Sequence, residues 1–285
     1  MPYKITHGNG TVKVQQGQVM KFNIEYRMGD KDTILNTTFG HVPAFVKIDT
    51  NNFGKYNFTE VLTQCKEGDK IDFTLSIDTL KKMGMIPDGN PMFAKRSSIK
   101  GKVEILKLFT SDADANADVQ KEFELEKGRE VKDLEKYVAD KNLKTEKSKN
   151  GVLVKVDNAG TGDKADSGKQ VTIYYKGYFK DGKVFDSNMG DPKKQAFTFV
   201  VGAHSVIPGW DEALKFFGKG GKGSLFIPAM LAYGQQGSAP VIPPYTNLFF
   251  DIEVADVTTP APQPAQPQMP GAPQQQPQAA PSKTK

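Results

Sequence analysis

The chain has 285 residues, 38% apolar and 25% charged, with a net charge of +5 at neutral pH. Its single cysteine, Cys65, excludes an intramolecular disulfide and a cysteine-based metal cluster, and the three histidines (His7, His41 and His204) lack ligand spacing, so no metal is expected. No run of about 18 apolar residues argues for a membrane-spanning helix, and no basic stripe with interleaved aromatics argues for nucleic acid.

The start, Met1-Pro-Tyr-Lys-Ile-Thr, lacks a basic segment followed by an apolar one. As written the chain reads as cytoplasmic; it reads as periplasmic or envelope-located if a leader has been trimmed. Residues 1–110 alternate short apolar runs with glycine and asparagine turns. Phe58, Val61, Leu62 and Cys65 repeat at helical spacing, followed by Gly68. Residues 111–150 are densely charged, with few glycines and no proline, and predict a helical linker that Ser111 or Asp112 is placed to cap. Val131, Leu134 and Val138 form a narrow apolar stripe on it. The stripe suits docking on a domain or pairing with another chain; the plainer reading is a solvated connector touching one domain.

Residues 151–257 return to strands and turns. Val152, Val154 and Val156 alternate as a strand with one buried face requires, and Leu248, Phe250, Ile252 and Val254 do the same opposite Asp251 and Glu253. Asp181-Gly182 marks a hairpin turn. Trp210, Ala213, Leu214 and Phe217 predict one short helix, stopped by the glycines of 218–223. The simplest architecture is a curved antiparallel sheet wrapped around that helix. Residues 258–285, almost wholly Pro, Gln, Ala and Ser, cannot bury enough apolar surface to fold. A disordered Pro/Gln-rich tail is expected, and its prolines make it a ligand candidate for a proline-reading site, its own chain's included.

The first region repeats the plan of the third at an offset near 150 residues. Tyr26 precedes a Gly29-Asp30 turn much as Tyr175 precedes Asp181-Gly182. Met85-Ile-Pro87 matches Val241-Ile-Pro243, and Val103-Glu-Ile105 matches Ile252-Glu-Val254. The third region alone offers a full set of walls for a pocket: Tyr175, Phe185, Phe197, Trp210, Tyr233 and Phe250, with Asp186 the one carboxylate among them. An apolar cup with one or two polar groups suits a substrate whose reacting bond is neutral.

Val-Phe-Asp-Ser at 184–187, Val-Ile-Pro-Gly-Trp at 206–210, Ala-Tyr-Gly at 232–234 and Ile-Pro-Pro at 242–244 carry a specific resemblance. Residues 151–257 resemble the FKBP family of peptidyl-prolyl cis–trans isomerases, and residues 1–110 resemble an FKBP domain that has lost its pocket. The resemblance implies an α+β fold: two FKBP-like domains, each a curved antiparallel β-sheet around a short α-helix, joined by the charged helical linker and followed by the tail. It implies that Trp210 floors the pocket, that Tyr175, Phe197 and Phe250 wall it, and that Val206 forms its aliphatic side. Phe185, Val241 and Ile242 would hold substrate, Phe185 and Ile242 against the proline or its neighbour. The Ile207 N–H would contact the substrate carbonyl, Tyr233 would offer its hydroxyl, and Asp186 would be the pocket carboxylate.

The implied activity is rotation about X–Pro bonds in peptides and unfolded proteins, with macrolide inhibitors as further ligands and no cofactor. The alternative is a non-catalytic chaperone or scaffold that uses the same cup only to bind. The barrier to amide rotation is about 18–20 kcal/mol, from resonance. A twisted amide has lost that resonance and its charge separation, so an apolar cup favours it over the planar form that water prefers.

Departures from the family lie at the rim. Ser205 stands where a glutamate or glutamine is common, Ser238 near a common histidine, and Pro240 where glycine is common. The longer loop after Ser187 lacks the arginine often paired with the aspartate, for which Lys193 or Lys194 is the expected substitute. In the first copy Asn36 replaces the aspartate, Leu35 the following-strand phenylalanine, Phe58 the tryptophan and Gly101 the equivalent of Phe250, and no Ala-Tyr-Gly follows Leu80. That copy is expected to bind polypeptide or assist assembly without isomerising.

Overall fold

The computed structural model describes residues 1–260 apart from 30–31, 88, 90–92, 95 and 191–193. The expected tail from residue 261 on, Asp30 of the first turn and Lys193 lie outside the described residues. The N-terminal half is built from β1 (Tyr3–Thr6), β2 (Val19–Met28), β3 (Ile34–Thr37), β4 (Ala44–Lys47), β5 (Lys70–Ser76), α1 (Ile77–Lys82) and β6 (Ser98–Phe109). The helix α2 (Asp112–Asp140) leads to β7 (Glu146–Lys147), β8 (Leu153–Asn158), β9 (Thr161–Lys164), β10 (Gln170–Tyr178), β11 (Val184–Ser187) and β12 (Phe197–Val200). Then follow α3 (Pro208–Ala213), β13 (Gly218–Lys219), β14 (Lys222–Ile227) and β15 (Leu248–Thr258).

The two large sheets share one strand order. The first runs β1-β5-β6-β2-β3 with β4 also on β2; the second runs β8-β14-β15-β10-β11 with β12 also on β10, and adds β7 beyond β8. Every pairing in both is antiparallel, and matching bulges fall at Lys21/Phe22 and at Thr172/Ile173. Register corrects one equivalence. Tyr26 lies opposite Gly101, whereas Gly177 lies opposite Phe250. Tyr26 therefore takes the place of Gly177, and Ile24 that of Tyr175, because distance to a turn does not fix the register of a strand.

In the second sheet the core face packs on α3 and the turn after it, where Trp210, Ala213, Leu214 and Phe217 are all buried. The helix is α-helical only to Ala213 and continues as a 3-10 turn over Leu214–Phe216. Its counterpart in the first half, Phe58–Gln64, is 3-10 throughout and is capped by the Asn57 side chain. Phe58, Val61 and Leu62 still reach the core there, with Cys65 buried just after.

The linker departs from expectation in length and in contacts. Ser111 caps α2, its hydroxyl accepting the Asp114 N–H at 3.3 Å. The helix ends at Asp140, and Glu146–Lys147 join the second sheet beside β8. It docks on both halves. Asp118 and Glu122 take Lys21 Nζ at 2.5 and 2.8 Å, and Asp112 takes Lys47 at 2.7 Å. Farther along, Leu134 and Val138 pack with Leu153, Phe226 and Phe249 on the outer face of the second sheet. Leu248, Phe249 and Phe250 are thus all buried, since both faces of β15 are covered. Among the described residues no helix is long and apolar enough to cross a membrane.

Candidate active site

α3 opens on Ile207 in extended conformation followed by Pro208 at the first helical position, which needs no N–H. That places Trp210 in the first turn, under the ends of β10, β12 and β15. The Trp210 ring meets Tyr175 at 5.1 Å and 73° and Phe250 at 5.2 Å and 81°. Phe197 stands 6.4 Å and 71° from Tyr175, and Phe185 5.7 Å and 88° from Phe250. These are edge-to-face contacts, the arrangement that opposed quadrupoles favour. The rings form the walls of a box rather than a filled stack.

The box encloses a hollow of about 210 Å³, lined by Tyr175, Phe185, Asp186, Phe197, Val206, Ile207, Trp210, Tyr233 and Phe250, with Ser205 at its edge. Nine sequence-predicted residues therefore meet there. Two do not. Val241 is 52% exposed away from the lining, and Ile242 is buried in the core. The turn that carries them is closed by hydrogen bonds between Ser238 and Ile242, which turn the isoleucine inward.

Polar groups are few and placed. Tyr175 Oη donates to Asp186 Oδ2 at 2.5 Å. Burial first, then this carboxylate, raises the Tyr175 hydroxyl above the ordinary phenol range, so it stays a donor. Lys194 does not pair with Asp186; its amine donates to the Ser187 carbonyl. Among the described residues the partner of Asp186 is the Tyr175 hydroxyl. Among the described residues the Ile207 N–H meets no acceptor, and Trp210 Nε1 is buried without a partner. Tyr233 is 43% exposed at the mouth.

Two supporting residues escaped the sequence reading. Asn188 is buried, accepts the Tyr175 N–H at 2.6 Å and donates to the Ile173 and Gln195 carbonyls at 3.3 and 3.2 Å. It thereby fixes the loop after β11 to β10. Asp211 Oδ1 accepts the Gly202 N–H at 2.8 Å and holds the loop that ends in Val206 and Ile207. An acid in the first turn of a predicted helix was a signal for Asp211; nothing in the sequence marked Asn188.

The matching place in the first half is filled. A Cβ on Gly101 would lie 2.0 Å from the Phe73 ring, which occupies the space of the absent wall. Phe73 packs on Tyr26 at 5.9 Å and on Phe58 at 6.1 Å. Where the second half carries Ala-Tyr-Gly, the first has α1. A shallow depression of about 470 Å³ on the other face of that sheet is lined by Lys4, Arg27, Lys100 and Lys102 alternating with Glu25 and Asp72, the pattern of a solvated face.

The family of FKBP-type peptidyl-prolyl cis-trans isomerases matches residues 161–255. The FKBP-type peptidyl-prolyl cis-trans isomerase FkpA of Escherichia coli (strain K12) is 34% identical over 217 residues, covering 74% of this chain and 73% of that protein. An FK506-binding protein of Neisseria meningitidis serogroup B is 36% identical over 107 residues, 38% of this chain and 96% of that protein. A probable FKBP-type peptidyl-prolyl cis-trans isomerase of Haemophilus influenzae is 40% identical over 121 residues, 42% of this chain and 48% of that protein.

Proposed function

The chain belongs to the FKBP-type peptidyl-prolyl cis-trans isomerase family, and from that premise we propose that the aromatic hollow between β10, β15 and α3 is where it rotates X–Pro bonds. The observation that carries the assignment is the convergence of six aromatic rings on one hollow whose single carboxylate already accepts a hydrogen bond from a tyrosine hydroxyl. The prolyl ring lies on Trp210, between Tyr175, Phe197 and Phe250. The Ile207 N–H holds the substrate carbonyl, and Tyr233 offers its hydroxyl from the mouth. Asp186 acts by fixing Tyr175 rather than by moving a proton. Catalysis then comes from exchanging water, which stabilises the planar dipolar amide, for a dry box that does not. The chemistry calls for no nucleophile.

Proline-containing peptides and unfolded chains are the substrates of this reading, and macrolides occupy the same hollow, their affinity set by Ser205, Ser238 and Pro240 at the rim. Residues 1–110 form a separate domain that holds polypeptide without isomerising it, supported by the Phe73 ring in place of a hollow. The test is cis-to-trans exchange of a short X–Pro peptide by the full chain and its Phe250→Ala/Asp186→Asn variant. The variant should lose roughly a hundredfold in kcat/KM. A chain that merely binds would show no rate to lose, yet would still suppress aggregation of an unfolded protein.

A further inference from the structure

The turn that carries Tyr233 is held from outside its own sheet. After β14 the chain makes the 3-10 turn Ala229–Leu231 and runs directly into Ala232, Tyr233 and Gly234. The Met230 N–H, in the middle of that turn, donates to Glu130 Oε2 of α2 at 2.8 Å. The Ala229 N–H donates to Asn247 Oδ1 at 2.9 Å, and Asn247 Nδ2 reaches Asp133 Oδ2, also on α2, at 3.3 Å. The returning limb of the loop is tied as well. The Tyr245 N–H donates to the Gly234 carbonyl at 2.9 Å. The Tyr245 ring stacks on His41 of the N-terminal half, centroids 3.9 Å apart at 10°. His41 Nδ1 in turn lies 2.8 Å from Glu126 Oε1.

Glu130 is the unusual member of this set. It is 6% exposed, and its Oε1 is buried without a partner among the described residues. A half-satisfied buried carboxyl is a poor way to glue a helix to a sheet, since an apolar side chain would avoid the desolvation cost. What it supplies is an acceptor for one backbone N–H of the Tyr233 turn. We propose that Glu130 is a positioning residue for isomerisation: the linker helix sets where Tyr233 stands over the hollow, and the N-terminal half bears on the same loop through His41. The proposal rests on the substrate role given to Tyr233 above.

The chemistry of the site adds a pH response. Burial, with Glu126 nearby, pushes the Glu130 carboxyl up to about 7, against the pull of the Met230 N–H and Arg129. The charged or titratable groups around it are Glu126, Arg129 and Asp133 along α2, His41 from the N-terminal half and Tyr245 from the loop. The neutral acid is the form that the site prefers, so ionisation loosens the dock.

The test uses the full chain, a short X–Pro peptide, and kcat and KM measured separately from about pH 5.5 to 8.5. Glu130→Ala should lower kcat roughly three- to tenfold with little change in KM. Glu130→Gln, which keeps an acceptor for the Met230 N–H, should restore it. Glu130→Ala added to Tyr233→Phe should cost nothing further, because the two act as one unit. The natural chain should slow as pH rises through about 7, and Glu130→Gln should not. A full rate in folded Glu130→Ala beside a slow Tyr233→Phe overturns this proposal alone. A full rate in Tyr233→Phe overturns the role of Tyr233 and takes this proposal with it. If Glu130→Ala does not fold, the pH profile of Glu130→Gln decides: a step that persists there refutes the assignment to Glu130.

Discussion

Gly177 and Phe250 face each other across β10 and β15, and a Cβ on Gly177 would lie 2.6 Å from the Phe185 ring and 2.8 Å from the Phe250 ring. Two of the pocket walls therefore stand where they do because one residue has no side chain. Gly177→Ala should displace both rings and cost about 1–3 kcal/mol in stability, read from the denaturant midpoint, with a matching loss of peptide isomerisation. An alanine variant at full activity would show that the rings yield without spoiling the box. The reciprocal pair in the first half, Tyr26 opposite Gly101, explains why that copy has no such box: its ring sits on the other strand and Phe73 fills the gap. At this scale Phe185, Trp210 and Tyr233 were legible, because each lies in a short motif with its own turn chemistry, and Tyr175, Phe197 and Phe250 followed from the family resemblance that those motifs carry. Asn188 was not, since its bonds go to backbone atoms that any sequence would present. Nor was the inward turn of Ile242, which depends on closing a loop rather than on residue type.

At the scale of the element, α2 is where sequence and structure part most. The stripe Val131, Leu134 and Val138 was visible at helical spacing, but its partner was not. Phe226, Phe249 and Leu153 occupy the outward positions of strands that otherwise read as one-faced, and only three-dimensional proximity shows that the helix covers them. The continuous run Leu248-Phe249-Phe250 was the one available hint, because a strand apolar on both faces needs cover on both. The plainer reading of a solvated connector also missed the ion pairs, since Asp118 and Glu122 are the partners of Lys21. Leu134 is fully buried, so Leu134→Ala should cost about 2–5 kcal/mol. Leu125→Ala, 47% exposed on the same helix, should change stability by no more than about 0.5 kcal/mol. Equal effects of the two in urea unfolding would mean that the helix is a solvated connector after all.

For the whole molecule, one strand order appears twice and only one copy keeps its hollow, so all of the isomerisation should reside in the second half. The Phe250→Ala/Asp186→Asn chain should then show the full loss of roughly a hundredfold in kcat/KM, because the N-terminal half supplies no second pocket to limit the drop. The halves remain coupled through α2, and Glu130 makes that coupling depend on pH. Its carboxyl titrates near the ordinary value of 4.5 once unfolded and at about 7 in the folded chain. Below about pH 4.5 it is protonated in both states and contributes no difference. Between about 4.5 and 7 the unfolded chain ionises first while the folded one retains its proton, so stability falls as pH rises; above 7 the penalty is complete, on the order of 3 kcal/mol. Other carboxylates also move the curve, which makes the comparison with Glu130→Gln the decisive one, because that variant carries every other group unchanged. The two chains should have similar urea stability near pH 4.5, and the glutamine chain should become progressively the more stable as pH rises from about 4.5 to about 7, with no further widening above that. A gap that stays constant across that range would mean that Glu130 is as well solvated in the folded chain as in the unfolded one, and the buried acceptor under the Tyr233 turn would then have no energetic standing.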